Sequence, residues 1–130
     1  MPGDPILIVD DNPTNLKLVR VLLGGEGYAV RTAMNAAEAL AEIAKRPPRL
    51  ILMDIQLPGM DGLALTRLLK ADPTTRDIVV VALTAYAMKG DEERVLAAGC
   101  NGYVSKPIDT RGLPRMVAGF LAELPRNARE

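Results

Sequence analysis

Histidine and tryptophan are absent from the 130 residues, cysteine occurs once, and the aromatics are three Tyr and one Phe. Without imidazole the chain itself offers no histidine-ligated zinc site, no Ser-His or Cys-His nucleophile pair and no phosphohistidine. The lone Cys100 excludes an internal disulfide, a C-x-x-C redox pair and a cysteine metal cluster. It reads as a small buried hydrophobe in a reducing compartment. Net charge is missing as well: 16 Lys and Arg balance 16 Asp and Glu, so no broad field attracts nucleic acid or anionic lipid. No apolar run approaches the ~18 residues of a membrane span. The opening Met1-Pro2-Gly3-Asp4-Pro5 lacks the basic and apolar segments of a secretion signal. One cytoplasmic domain is expected, with no nucleic-acid or membrane partner, and its chemistry falls to carboxylates.

What is present is an alternation of short apolar runs and helical patterns. Ile6-Leu7-Ile8-Val9, Leu50-Ile51-Leu52-Met53 and Ile78 through Leu83 are continuous runs rich in branched residues, as in strands buried on both faces. Tyr28-Ala29-Val30 and Gly102-Tyr103-Val104 are shorter strands, bringing the expected number to five. Between them the first helix opens at Asn12-Pro13, carries Leu16, Val19 and Leu23 on one face, and is expected to end at Gly24-Gly25. The second starts at Asn35 with Glu38 three residues on and stops at Pro47; the third runs from about Asp61 to Asp72-Pro73. The fourth is the charged Asp91-Glu92-Glu93-Arg94 segment ending near Gly99, and the fifth covers roughly Leu113 to Leu124. Gly112, Pro114 and Gly119 disfavour helix there, so the fifth is expected to start late. Alternation of this kind implies right-handed crossovers onto a parallel α/β sheet covered on both faces. The domain is expected over 4–124, with 125–130 a short tail and no output domain.

Asp10-Asp11 directly follows the first run and Asp54 the third, at the C-terminal ends of strands. In an open parallel sheet ordered 2-1-3-4-5, ligands bind outside those ends, where the strand order reverses between the first and third strands. Taken singly, each Asp is an ordinary turn or cap residue. Together, three converging carboxylates repel one another unless a cation intervenes, and an oxygen-only ligand set suits Mg²⁺. Thr84 and Lys106 end the fourth and fifth strands at the same rim. The three carboxylates, a divalent cation and the Lys106 ammonium are then electrically balanced. If Asp54 attacks a phosphoryl group, the acyl phosphate gains negative charge, which the cation, the ammonium and the Thr84 hydroxyl can stabilise.

These residues resemble the receiver domain of two-component response regulators, a flavodoxin-like doubly wound fold with five strands and five helices. The carriers are Ile8-Val9-Asp10-Asp11, Met53 through Gly62, Leu83-Thr84-Ala85, and Gly102-Tyr103-Val104-Ser105-Lys106-Pro107. The resemblance implies that Asp54 is the phosphoacceptor and that Asp10, Asp11, Asp54 and the Gln56 carbonyl hold Mg²⁺. It further implies that Thr84 and Lys106 bind phosphoryl oxygens, that Thr84 and Tyr103 form the switch, and that Lys106-Pro107 is a cis peptide. A partner's phosphohistidine, on a sensor histidine kinase or histidine phosphotransferase, would be the donor. The surface of the fourth helix, fifth strand and fifth helix would meet a downstream protein. Such a chain is a signalling switch of a phosphorelay and not an enzyme in the ordinary sense, catalysing only its own phosphorylation and slow dephosphorylation. Gln56 and Tyr86 would flank the path of the hydrolytic water. The segment from Thr84 to Arg94 further resembles single-domain, DivK-like receivers and receivers fused to hybrid kinases.

Three rivals fit less well. An aspartate-nucleophile phosphatase would have D-x-D, whereas Asp54-Ile55-Gln56 lacks the second carboxylate needed as general acid. A flavin module on this fold would place hydroxyl and Gly donors in the first loop, where Asp10-Asp11-Asn12-Pro13 presents negative charge. A purely structural interaction domain ranks below the receiver reading and would be favoured by failure to bind Mg²⁺.

Overall fold

A computed structural model describes residues 3–57, 59–84, 89–105 and 108–122. Ten elements alternate along the chain: β1 (Pro5–Val9), α1 (Pro13–Gly25), β2 (Ala29–Ala33), α2 (Ala36–Lys45), β3 (Leu50–Asp54), α3 (Gly62–Ala71), β4 (Val79–Thr84), α4 (Lys89–Ala97), β5 (Gly102–Ser105) and α5 (Gly112–Ala122). The strands form one sheet in the order β2-β1-β3-β4-β5, every pair parallel. This is the expected flavodoxin-like arrangement, and all five C-terminal strand ends share one edge.

Two hydrophobic cores explain the continuous apolar runs. Side chains alternate between sheet faces with a period of two. Leu7, Val9, Ile51, Met53, Val80 and Ala82 meet Ala39 and Ile43 of α2, Leu65 and Leu69 of α3 and Val95 of α4. Ile6, Ile8, Leu50, Leu52, Val79, Val81 and Leu83 meet Leu16, Val19 and Leu23 of α1 and Leu113, Val117 and Leu121 of α5. Every residue of β3 and β4 is buried, as central strands under two helical layers must be. Cys100 is buried in the first core, where burial pushes its thiol pKa up, in keeping with a structural residue.

Two boundaries differ from the sequence expectation, those of β2 and α5. Edge strand β2 runs Ala29–Ala33, further than Tyr28–Val30, because its pairing follows β1 from Pro5↔Ala29 to Val9↔Ala33. The polar Arg31 within it is accommodated by the Glu42 carboxylate at 3.1 Å and by the carbonyls of Glu42 and Arg46. Helix α1 ends at Gly25, as the Gly24-Gly25 pair led one to expect, and the reversal that follows is made by Gly27 at φ +95°. Helix α5 does not start late: it begins at Gly112, so Pro114 falls in the first turn, where a backbone N–H has no intrahelical partner to lose. Asp109 steadies that start, its carboxylate accepting the Arg111 N–H at 3.0 Å. Such backbone bonds, from Arg111 and Gly112, hold the Asp109 carboxyl below the usual range.

Candidate functional site

Register brings the two buried carboxylates together. Val9 pairs with Met53 across β1 and β3, which sets the next residues, Asp10 and Asp54, side by side where the chain leaves the sheet. Asp10 is 0% and Asp54 3% exposed, whereas Asp11 is exposed. Each of the three offers a carboxylate oxygen within 4.8 Å of the others.

Neutral amides meet both buried carboxylates. Asp10 accepts the Asn12 backbone N–H on Oδ1 at 2.9 Å and the Asn15 side-chain amide on Oδ2 at 3.2 Å. Asp54 accepts the Gln56 backbone N–H on Oδ1 at 2.9 Å. Asn12 also caps α1, its side chain accepting the Thr14 N–H at 2.9 Å. The loop after Asp54 is equally constrained: Gly59 sits at φ +79°, and Asp61 caps α3 by accepting the Ala64 N–H at 2.7 Å. A donor set of three carboxylates, with one carboxylate open to solvent, fits a hard divalent cation such as Mg²⁺.

Thr84 ends β4 one step beyond Leu83, the register partner of Asp54, and is 2% exposed. Tyr103 is the partner of Ala82 on β5, half-buried against the first core. Ala82 and Thr84 share a sheet face, so the hydroxyl and the phenol ring belong to the same side of the sheet. Gln56 is exposed, at the head of the β3–α3 loop. Lys106, Pro107 and Tyr86 lie outside the described residues. Two contributors escape sequence reasoning. Asn15 carries no periodic or motif signal, and Gly62, quoted above only as part of a motif, packs against the backbone of Asp54. A glycine at the first position of a helix, directly after a capping Asp, is the one signal that could have singled it out.

The doubly wound sheet with carboxylates at its switch point defines the class, and residues 6–118 match the family model for the response regulator receiver domain. The chain belongs to that family, whose members are signalling switches that bind Mg²⁺ in an acidic pocket. It is 45% identical to the polar-differentiation response regulator DivK of Brucella anthropi over 118 residues, which is 91% of this chain and 96% of that protein. Among solved structures it resembles the signal receiver domain of a signal transduction histidine kinase from Syntrophus aciditrophicus, with TM-score 0.87 and 34% identity over 95% of this chain and 94% of that one. It also resembles the chemotaxis response regulator CheY4 of Vibrio cholerae, with TM-score 0.85 and 25% identity over 90% and 98% of the two chains. Among the described residues, no helix is long and apolar enough to cross a membrane.

Proposed function

We propose that this chain is a stand-alone, cytoplasmic response regulator whose receiver spans 4–124 with 125–130 as a tail, and that it accepts a phosphoryl group on Asp54. The observation that carries the reading is the convergence of Asp10, Asp11 and Asp54 within 4.8 Å at the end of a parallel sheet. Its similarity to DivK over 96% of that protein's length supports the stand-alone form.

A carboxylate oxygen of Asp54 attacks the phosphorus of a phosphohistidine on a sensor kinase or histidine phosphotransferase. The new O–P bond forms as the P–N bond breaks, and the electron pair leaves with the partner's imidazole. Mg²⁺, held by Asp10, Asp11, Asp54 and the Gln56 carbonyl, would supply positive charge to the phosphoryl oxygens. The Gln56 N–H on Oδ1 fixes the attacking carboxylate, and the lack of histidine in this chain accords with import of the group from a partner. Lys106 and Thr84 take the remaining phosphoryl oxygens as ammonium and hydroxyl donors. Movement of Thr84 toward the phosphoryl group opens space for Tyr103 to turn inward, shifting a two-state equilibrium read by a downstream protein on the α4–β5–α5 surface. Self-hydrolysis is slow, and Gln56 and Tyr86 are the residues proposed to limit it.

Intact mass after incubation with a small acyl-phosphate donor tests the reading. One phosphoryl adduct that requires Mg²⁺ and disappears in Asp54→Ala is expected. An adduct that persists unchanged in Asp54→Ala would overturn the acceptor assignment.

A further inference from the structure

Asp10 is completely buried, and a desolvated carboxylate persists as an anion only where donors meet its oxygens. Two of the bonds to it, from Asn12 and Asn15, differ in kind. Oδ1 takes the backbone N–H of Asn12, which any residue but proline would supply. Oδ2 takes the side-chain amide of Asn15 at 3.2 Å, which depends on the residue type at that position. Within the first turn of α1, Pro13 has no N–H, and the Thr14 N–H is already donated to Asn12 Oδ1. The Asn15 amide, on the half-buried third residue of the helix, is therefore the group by which α1 reaches the far oxygen of Asp10.

We propose that Asn15 is a positioning residue for the cation: by holding Oδ2 it fixes the rotation of the Asp10 carboxylate toward Asp11 and Asp54, and so sets Mg²⁺ affinity without touching the metal. This rests on the reading of the three carboxylates as the Mg²⁺ site. Each carboxylate oxygen has two lone pairs, so an amide and a cation can share it. Two tethered oxygens also leave less orientational freedom to lose on binding than one. Hydrogen-bond partners behind metal-ligating residues typically contribute about 10–100-fold in affinity. A single neutral amide at 3.2 Å belongs at the lower end of that range.

The test compares the intact wild-type chain with Asn15→Leu, which keeps the γ-branched side-chain shape without a donor, and Asn15→Gln, which keeps the amide one methylene further out. Mg²⁺ affinity is read by calorimetry and by NMR titration of the amides of residues 10–12 and 54–56. The Mg²⁺ dependence of Asp54 phosphorylation is followed in parallel, and thermal unfolding in chelator verifies the fold. We expect Asn15→Leu to bind Mg²⁺ about tenfold more weakly, to reach the wild-type phosphorylation rate at saturating Mg²⁺, and to be largely rescued by Gln in place of Leu. Should Asn15→Leu unfold, Asn15→Ala serves as the donor-free variant. Wild-type affinity in the donor-free variant, a lower saturating rate at unchanged affinity, or a Gln variant as weak as Leu would each overturn the role of Asn15 alone. Failure of the wild type itself to bind Mg²⁺ would overturn the metal reading, and this role with it.

Discussion

A Cβ placed on Gly62 would lie 2.2 Å from the backbone carbonyl oxygen of Asp54 and 2.8 Å from Cα of Ile55. The start of α3 is thus pressed onto the end of β3, and the Gly62 N–H donates to the Ile55 carbonyl at 3.2 Å. Only a residue without a side chain permits that approach.

Gly62→Ala is expected to cost about 2–3 kcal/mol in urea unfolding, because the obstacle is backbone and no rotamer change relieves it. The displaced Asp54 should also accept phosphoryl groups more slowly. Wild-type values for both would show that the β3–α3 junction yields freely.

At the opposite end of the sheet, Arg49 Nη1 donates to Asp4 Oδ2 at 2.9 Å in a mostly buried pair. Its Nε and Nη2 are buried and meet no acceptor among the described residues. Asp4→Ala, which leaves the guanidinium uncompensated, is expected to destabilise by about 3 kcal/mol. Arg49→Met should cost less, since it also removes the two unmatched N–H groups. Denaturant melts of both variants decide the order, and a larger loss in Arg49→Met would contradict it. Phosphorylation of the folded fraction should be unchanged in either.

Lys70 supplies the pH-dependent case. Its ammonium donates to the carbonyls of Arg76 at 3.1 Å and Ile78 at 2.7 Å and to Asn101 Oδ1 at 3.1 Å, yet burial is the largest influence and holds its pKa below the ordinary 10.5. With the folded pKa depressed, the unfolded chain binds the proton more tightly. The penalty is fully present below the folded value and is relieved as pH rises from there to about 10.5. The stability of wild type relative to Lys70→Met should therefore climb with pH across that alkaline window. A flat difference in urea melts at stepped pH would count against it.

Thr84 and Tyr103 share a sheet face, which gives the proposed switch a direct test. A phosphoryl mimic is expected to shift the NMR signals of Tyr103 in the wild type but not in Thr84→Ala, with the mimic still bound at Asp54 in both. An unaltered Tyr103 response in Thr84→Ala would uncouple the ring from the hydroxyl.

Much of this was legible because doubly buried strands leave unbroken apolar runs, as in Leu50–Met53 and Ile78–Leu83. Strand order then put Asp10, Asp11 and Asp54 at one rim before any coordinates. Edge strand β2 was less legible: with one neighbour and a polar Arg31 its pattern is diluted, and its true extent is fixed by pairing with β1. Pro114 misled because a helix breaker in the interior is harmless in a first turn, and the turn's position is set by Asp109 and the burial of Leu113. Asn15 was invisible because its role depends on the distance to Asp10 across a helix turn, which no local sequence rule encodes.

The strand parity described above has one further consequence. Asp54 continues the face of Leu50 and Leu52, backed by α1 and α5, whereas Thr84 and Tyr103 continue the face of Val80 and Ala82, backed by α2, α3 and α4. The proposed acceptor and the proposed switch pair thus project from opposite faces of the sheet, while Gly62 of α3 still packs on the Asp54 backbone. Mutational drift in the packing beneath Tyr103 would therefore retune the proposed response while the face that carries the Asp54 side chain is inherited unchanged.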